Sequence, residues 1–135
     1  MATPTATSYT RNLNHRAYTV WTVTWGSGTA DDFTDEIVVN LSDINSEYNS
    51  SLKVTYVSML ASTGVELKLE FDADTDQPIA TYPLGASSSV EMDFTPLIDA
   101  GLPKVNTGGT GDVVLTTSSA ADGDSAFILI EYYLD

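Results

Sequence analysis

The chain contains no cysteine. Disulfides and thiolate-held metals are thereby excluded. Small secreted domains often depend on disulfides, so their absence favours an intracellular assembly site. Histidine is nearly absent as well, His15 being the single imidazole. A Ser/His system would rest on that one residue. A carboxylate-pair mechanism would have to be picked out from acids that fall on loops and outward strand faces. The chain is expected not to be an enzyme and calls for no cofactor. Cations are scarce too: Lys and Arg total 5 against 19 Asp and Glu, a formal net charge of −14. Nucleic-acid affinity comes mostly from neutralising phosphates, so this body is expected to repel nucleic acid and anionic membranes. No apolar run approaches the length of a membrane span, and Met1 to Tyr18 has no apolar signal-peptide core.

What is present points to a packed domain. Of 135 residues, 42% are hydrophobic, with two Trp, seven Tyr and four Phe. A single domain of this length buries roughly two-thirds of its unfolded surface, enough for a core without covalent staples. The charge is uneven. Residues 1–30 carry Arg11 and Arg16 and no acid, a formal +2; the nineteen acids, all from Asp31 onward, face only Lys53, Lys68 and Lys104, a formal −16. Residues 1–16 are rich in Thr, Ser and Asn and have no periodicity. They read as a flexible or partner-ordered arm, with residues 17–135 as the folded body. Arg11, Asn12, Asn14, His15 and Arg16 are the candidate partner-binding residues on that arm, and deleting residues 1–16 is expected to leave the body folded.

The body reads as strands. Ala17 to Trp25 alternates, with Trp21, Val23 and Trp25 on one face. Ile37 to Leu41 places Ile37, Val39 and Leu41 on one side. Leu52 to Leu60 follows, then Val65 to Phe71, where apolar residues alternate with Glu66, Lys68, Glu70 and Asp72, the signature of a half-buried strand. The Ala61-Ser-Thr-Gly64 break predicts a hairpin between these two. Ile79 to Tyr82 and Val90 to Phe94 come next, the latter with Val90, Met92 and Phe94 inward. Short helical turns are expected after Ser42 as N-cap and at Pro96 to Ala100. Val113 to Thr117 and Ala126 to Leu134 flank an Asp122-Gly123 turn and close the chain as a hairpin, with Phe127 and Leu129 in the core. About eight strands without a long amphipathic helix predict an all-β antiparallel sandwich, jelly-roll-like, or alternatively immunoglobulin-like. The acids of Glu66–Glu70 and Glu91–Asp93 would repel a second copy laid edge to edge.

Three local patterns suggest chemistry. Asp72, Asp74 and Asp76 alternate in a turn and could hold Ca²⁺, which takes several oxygen ligands; an EF-hand counted from Asp72 would need Gly and Glu where Gln77 and Pro83 stand. Otherwise they are an acidic turn bonded to local backbone. Gly108-Gly-Thr-Gly111 lacks the Lys-Ser/Thr of a phosphate loop and leads into a strand. Trp21 and Trp25 are core, interface or a ligand platform.

Val54 to Asp135 resembles a family of small virion structural proteins of tailed phages, many from marine and cyanobacterial hosts. The series Leu67-Lys-Leu-Glu-Phe-Asp-Ala-Asp-Thr-Asp-Gln-Pro-Ile79, Tyr82-Pro-Leu-Gly-Ala-Ser-Ser-Ser-Val-Glu-Met-Asp-Phe94, Gly101-Leu-Pro103, Gly111-Asp-Val-Val-Leu-Thr-Thr117 and Ala121-Asp-Gly-Asp-Ser125 carries the likeness, and Val20 to Gly28 is similar to the first strand of those proteins. This chain departs at its end, Tyr132-Tyr-Leu-Asp135, where relatives finish with basic residues. The resemblance implies a β-sandwich on the virion, assembled in the host cytoplasm: a capsid decoration (cement) protein bound to the major capsid protein, with a homotrimer as the expected oligomer. It supplies no catalytic residues. The competing reading is a carbohydrate- or host-binding module of a head fibre or tail tip, which would need an exposed aromatic cluster.

Overall fold

The computed structural model describes residues 5–13, 15–26, 32–44, 52–73, 75–97, 101–104 and 111–134. The described residues form nine strands: β1 (Thr5–Asn12), β2 (Arg16–Thr24), β3 (Glu36–Val39), β4 (Leu52–Ala61), β5 (Glu66–Phe71), β6 (Gln77–Tyr82), β7 (Val90–Asp93), β8 (Val113–Ser118) and β9 (Ser125–Leu134). They form a five-stranded sheet, β1-β2-β9-β4-β7, and a four-stranded sheet, β3-β8-β5-β6. The helical content described is two 3-10 turns, Leu41–Asp43 and Thr95–Leu97. Asn40 rather than Ser42 caps the first, its Oδ1 accepting from the Ser42 N–H at 3.2 Å. The second begins one residue before the expected Pro96, and residues 98–100 lie outside the described set.

Pairing follows a nested order. β2 lies against β9, β3 against β8, β4 against β7 and β5 against β6, all antiparallel. The chain is thus one long hairpin with its tip at the β5–β6 turn. It is rolled so that β4 also meets β9 and β5 also meets β8. This is the jelly roll, and it differs from the strand order of an immunoglobulin sandwich.

Two expected hairpins are corrected by this order. β4 and β5 belong to different sheets, and so do β8 and β9. The 62–65 and 119–124 segments are crossovers between layers. Local alternation cannot distinguish the two outcomes, because β4 and β5 each present an apolar row. Stacking those rows face to face buries both at once, about 25 cal/mol for each Å² of apolar surface removed from water.

The core lies between the sheets. Trp25, Leu52, Val57, Met59, Leu67, Leu69, Leu115, Ile128 and Ile130 are fully buried. Phe33 wedges between the two tryptophans, its ring 5.6 Å from Trp21 and 6.0 Å from Trp25. β9 has the opposite phase to that expected: Ala126, Ile128, Ile130, Tyr132 and Leu134 point inward, while Phe127 is 41% exposed and Leu129 only partly covered. Both phases of this strand are apolar, so the sequence does not reveal which one faces the opposite sheet. Ile37 is also outward, displaced by a register shift in β3 that turns Val38 and Val39 into the core. On β7, Met92 is exposed because this short strand borders the sheet and pairs with β4 alone.

The expected division at residue 16 is also revised. Residues 5–12 are not an arm but β1, paired along its whole length with β2, and residue 16 begins β2 itself. Thr and Ser favour neither a helix nor a core, so the composition shows no period, yet an edge strand needs only backbone pairing and one covered side. Thr7 and Thr22 bond through their hydroxyls at 2.8 Å, as do Thr10 and Thr19 at 2.7 Å.

Candidate functional site

The expected partner-binding residues are spread along β1 and the start of β2. Arg11 is exposed opposite Tyr18, Asn12 pairs through its backbone with Ala17, and His15 and Arg16 are exposed at the β1–β2 turn. Asn14 lies outside the described residues. The register brings further cations to Arg16. Arg16 pairs with Tyr133, Tyr133 with Lys53, and Lys53 forms a bridge with Lys104. Residues in one cross-strand row stand about 4.5–5.5 Å apart and share a face. Arg16, Tyr133, Lys53 and Lys104 are therefore one row on the outer side of the five-stranded sheet. Sequence reading missed Lys53 and Lys104, which stand far from Arg16 along the chain and carry no local motif.

The row is anchored by the backbone. The Leu134 N–H donates to the His15 carbonyl at 2.6 Å, and the Val54 N–H to the Pro103 carbonyl at 2.9 Å. These bonds draw the β1–β2 turn and the 101–104 segment over the ends of β4 and β9. A cavity of about 260 Å³ lies there, lined by His15, Lys53, Gly101, Leu102, Lys104, Tyr133 and Leu134. Tyr133 separates it from a neighbouring hollow of about 200 Å³ that includes Arg16 and Glu131.

The acidic turn is arranged differently from its sequence pattern. Asp74 lies outside the described residues. Asp76 Oδ1 accepts from the Ala73 N–H at 3.1 Å, a local side-chain-to-backbone bond within the turn. Asp72 is tied by its backbone to the opposite loop, its N–H donating to the Asp112 carbonyl at 3.0 Å. The carboxylates that converge are Asp35, Glu70 and Asp76, with one oxygen from each within 4.8 Å of the others. Asp35 precedes β3 and Glu70 sits on β5, so the sheet assembles the group. A hard cation could be held by these three oxygens, although Ca²⁺ takes six to eight.

Loss of hydration and then like charge raise two of these carboxyls, Asp35 and Glu70. Asp35 has its pKa raised by loss of hydration, then by its hydrogen bond to Asp76 and the charge of Asp76. Glu70 is raised by burial first, then by the charges of Asp76 and Asp35, with Lys68 opposing.

Elsewhere acids do structural work. Asp32 accepts from the N–H groups of Ser119 and Ala120 at 3.1 Å each and from the Thr117 hydroxyl at 3.0 Å. It holds Ser119 at φ 66, a left-handed conformation that serine seldom adopts. Asp112 Oδ1 accepts from the Leu41 N–H at 2.8 Å. The preceding Gly111 has φ +84, a backbone conformation that favours glycine, and a Cβ there would fall 2.8 Å from Leu41 Cδ2, so that side chain would have to shift.

Trp21 and Trp25 are 2% and 0% exposed, which assigns them to the core and removes them as a ligand platform. Among the described residues the exposed aromatics are Tyr9 and Phe127. Of the acids expected to guard edges, Glu91 and Asp93 do lie exposed on the bordering strand β7, while Glu66 to Glu70 are interior to their sheet. Among the described residues no helix is long and apolar enough to cross a membrane.

The sequence matches no protein-family model and no curated protein. Among solved structures the chain is similar to one in the acid-stable capsid structure of the Helicobacter pylori bacteriophage KHP30, at a TM-score of 0.35 and 15% identity, over 97% of this chain and 93% of that one.

Proposed function

We propose that the protein is a structural component of a tailed-phage virion, a decoration protein that binds the major capsid protein on the outside of the shell. The observation that carries this reading is the nested pairing of β2 with β9, β3 with β8, β4 with β7 and β5 with β6, together with the phage-protein resemblance of the segments that build those strands. Jelly rolls serve in viral capsids and in lectins, and fold alone does not select between them. The burial of both tryptophans weighs against the lectin-like reading. Decoration requires a stiff body and a contact surface, not turnover, and the role proposed is binding without catalysis. A trimer is the proposed stoichiometry.

The test is the particle. Quantitative mass spectrometry of purified virions should give a copy number that tracks the number of capsomers. Light scattering of the isolated protein reports the oligomer. A copy number of a few per particle would assign the chain to the tail or a fibre and overturn the decoration reading.

A further inference from the structure

We propose that the far edge of β1 and the hollow beside it are a docking site for one extended strand of a partner protein. That strand adds to the five-stranded sheet and places alternate apolar side chains between the two layers. Each sheet ends in two edge strands: β1 and β7 in one, β3 and β6 in the other. Three of the four are blunted. β7 has four residues and carries Glu91 and Asp93. β3 is equally short and shifts register. β6 holds Pro78, whose backbone donates no hydrogen bond, and its pairing with β5 shifts register beside it. β1 is different. It runs eight residues in unbroken register with β2, without acid or proline, and among the described residues it pairs with β2 alone. In an antiparallel pair every second residue turns its N–H and C=O away from the neighbour. β1 therefore offers a row of donors and acceptors along its far side, the template onto which an extended chain adds.

The hollow selects what that chain carries. It has a volume of about 510 Å³ and lies between Ser8 and Thr10 of β1 and residues 37–39 of β3, where both sheets end. Val38, Val39 and Ile44 are buried in its wall, while Ile37 is 47% exposed there. Asn40 and Asp43 add a polar portion. Side chains alternate across β1. Ala6, Ser8 and Thr10 share the face of buried Val23, Trp21 and Thr19, and Thr7, Tyr9 and Arg11 stand exposed on the outer one. A strand laid beside β1 alternates in the same way. Every second side chain of it enters the hollow toward Ile37, and the others stand on the outer face in line with Tyr9 and Arg11.

Charge and side-chain size choose the occupant. A second copy would bring another net charge of −14 alongside the first. Its own β1 presents Ala6, Ser8 and Thr10 on the inner face, which are too small or too polar to fill an apolar hollow. Arg11 is the one charged residue of β1, and an opposite charge across a strand pair is favourable. The fitting segment therefore has Val or Ile at every second position and a carboxylate among its outward residues. The proposed virion role supplies only the partner's identity. The groove rests on its own geometry, so the titration below and the copy-number measurement can fail separately.

The probe is a blocked peptide as long as β1, alternating Val with Thr and carrying Glu in place of one Thr. It should shift the amide resonances of Ser8, Thr10, Ile37 and Val38 saturably in the ¹⁵N-labelled protein. It should also slow hydrogen exchange at alternate β1 amides about tenfold. N-methylating the peptide at its Val residues or at the residues between them tests strand addition. One version should lose binding and the other keep it, because only one set of N–H groups faces β1. I37D should weaken the peptide about tenfold by placing a charge in the hollow, and R11E should weaken the Glu peptide but not its Gln counterpart. L84D, at an exposed residue outside the groove, should leave binding unchanged. Equal binding of both N-methylated peptides, undiminished binding to I37D, or an equal loss in L84D would overturn the proposal. If I37D does not fold, the R11E comparison decides, and equal loss of the Glu and Gln peptides would count against the site. Alternate β1 amides already protected without peptide would show the edge covered by its own chain, or, if protection grows with protein concentration, by a second copy. Either result would also overturn it.

Discussion

The Thr19 hydroxyl and the Tyr132 phenol oxygen stand 2.9 Å apart inside the sandwich. Thr10 of the edge strand extends the contact, 2.7 Å from Thr19. A hydroxyl chain thus runs from β1 through β2 to β9 and gives each buried oxygen a partner. Tyr132→Phe should cost about 1 kcal/mol, the net value of one neutral hydrogen bond, because Thr19 keeps Thr10. Burial raises the Tyr132 pKa above the ordinary 10.0. The folded state therefore favours the neutral phenol. That contribution is complete below the unfolded value and is lost as pH rises through the folded one. Urea midpoints measured through alkaline pH should fall for the parent chain and less steeply for Y132F.

Removing residues 1–12 should destabilise the body rather than free it of an arm. β2 would become the edge, its backbone groups unpaired and Thr19 without Thr10. Bare strand edges recruit other chains. A lowered melting temperature with concentration-dependent association by light scattering is expected; an unchanged melting curve would show that β1 contributes nothing to the fold.

Asp76→Asn should raise stability at neutral pH. Asp35 and Glu70 have raised pKa values, partly through the charge of Asp76. Their contribution to folding is present below the carboxylate range and is lost as pH rises through it, so at pH 7 the charged Asp35 and Glu70 are a net cost. Asp35 is exposed, and solvent screening holds the gain to about 0.5 kcal/mol. The advantage of D76N over the parent chain in thermal melts should shrink as the pH falls into the carboxylate range.

Asp32→Ala should cost about 1–3 kcal/mol. It leaves the N–H groups of Ser119 and Ala120 without their carboxylate acceptor and releases a left-handed serine. Denaturant unfolding with an unchanged slope would read this directly.

Core and surface phases of β9 are separable by substitution. Ile128→Ala should cost about 2–5 kcal/mol through the cavity it leaves. Phe127→Ala, on the exposed face, should cost about 0.5 kcal/mol or less. Equal losses would mean that the strand is inserted in the other phase.

The strands were legible where burial is one-sided. Val65 to Phe71 alternates because one of its faces is wet, and the structure returns β5 at Glu66–Phe71 with Leu67, Leu69 and Phe71 buried. Where both phases are apolar, as in Phe127-Ile-Leu-Ile130, alternation carries no sign and does not mark the inward set. Where both phases are polar, as in Thr5 to Asn12, no strand was visible at all, since its stability comes from the backbone and from β2 beside it.

The sequence pattern by itself determined the class: short alternating runs without a long amphipathic helix lead to an antiparallel sandwich, and the absence of cysteine leaves it to be held by its apolar core. Partner choice between strands was decided only in three dimensions. β4 joins β9 and β7 instead of β5 because the energetics of a sandwich reward stacking of apolar faces, a quantity no single strand contains. The same holds for the sites. Asp35 meets Glu70 and Asp76, and Lys53 meets Lys104, across long stretches of chain, because side-chain charge is encoded locally while proximity is set by register.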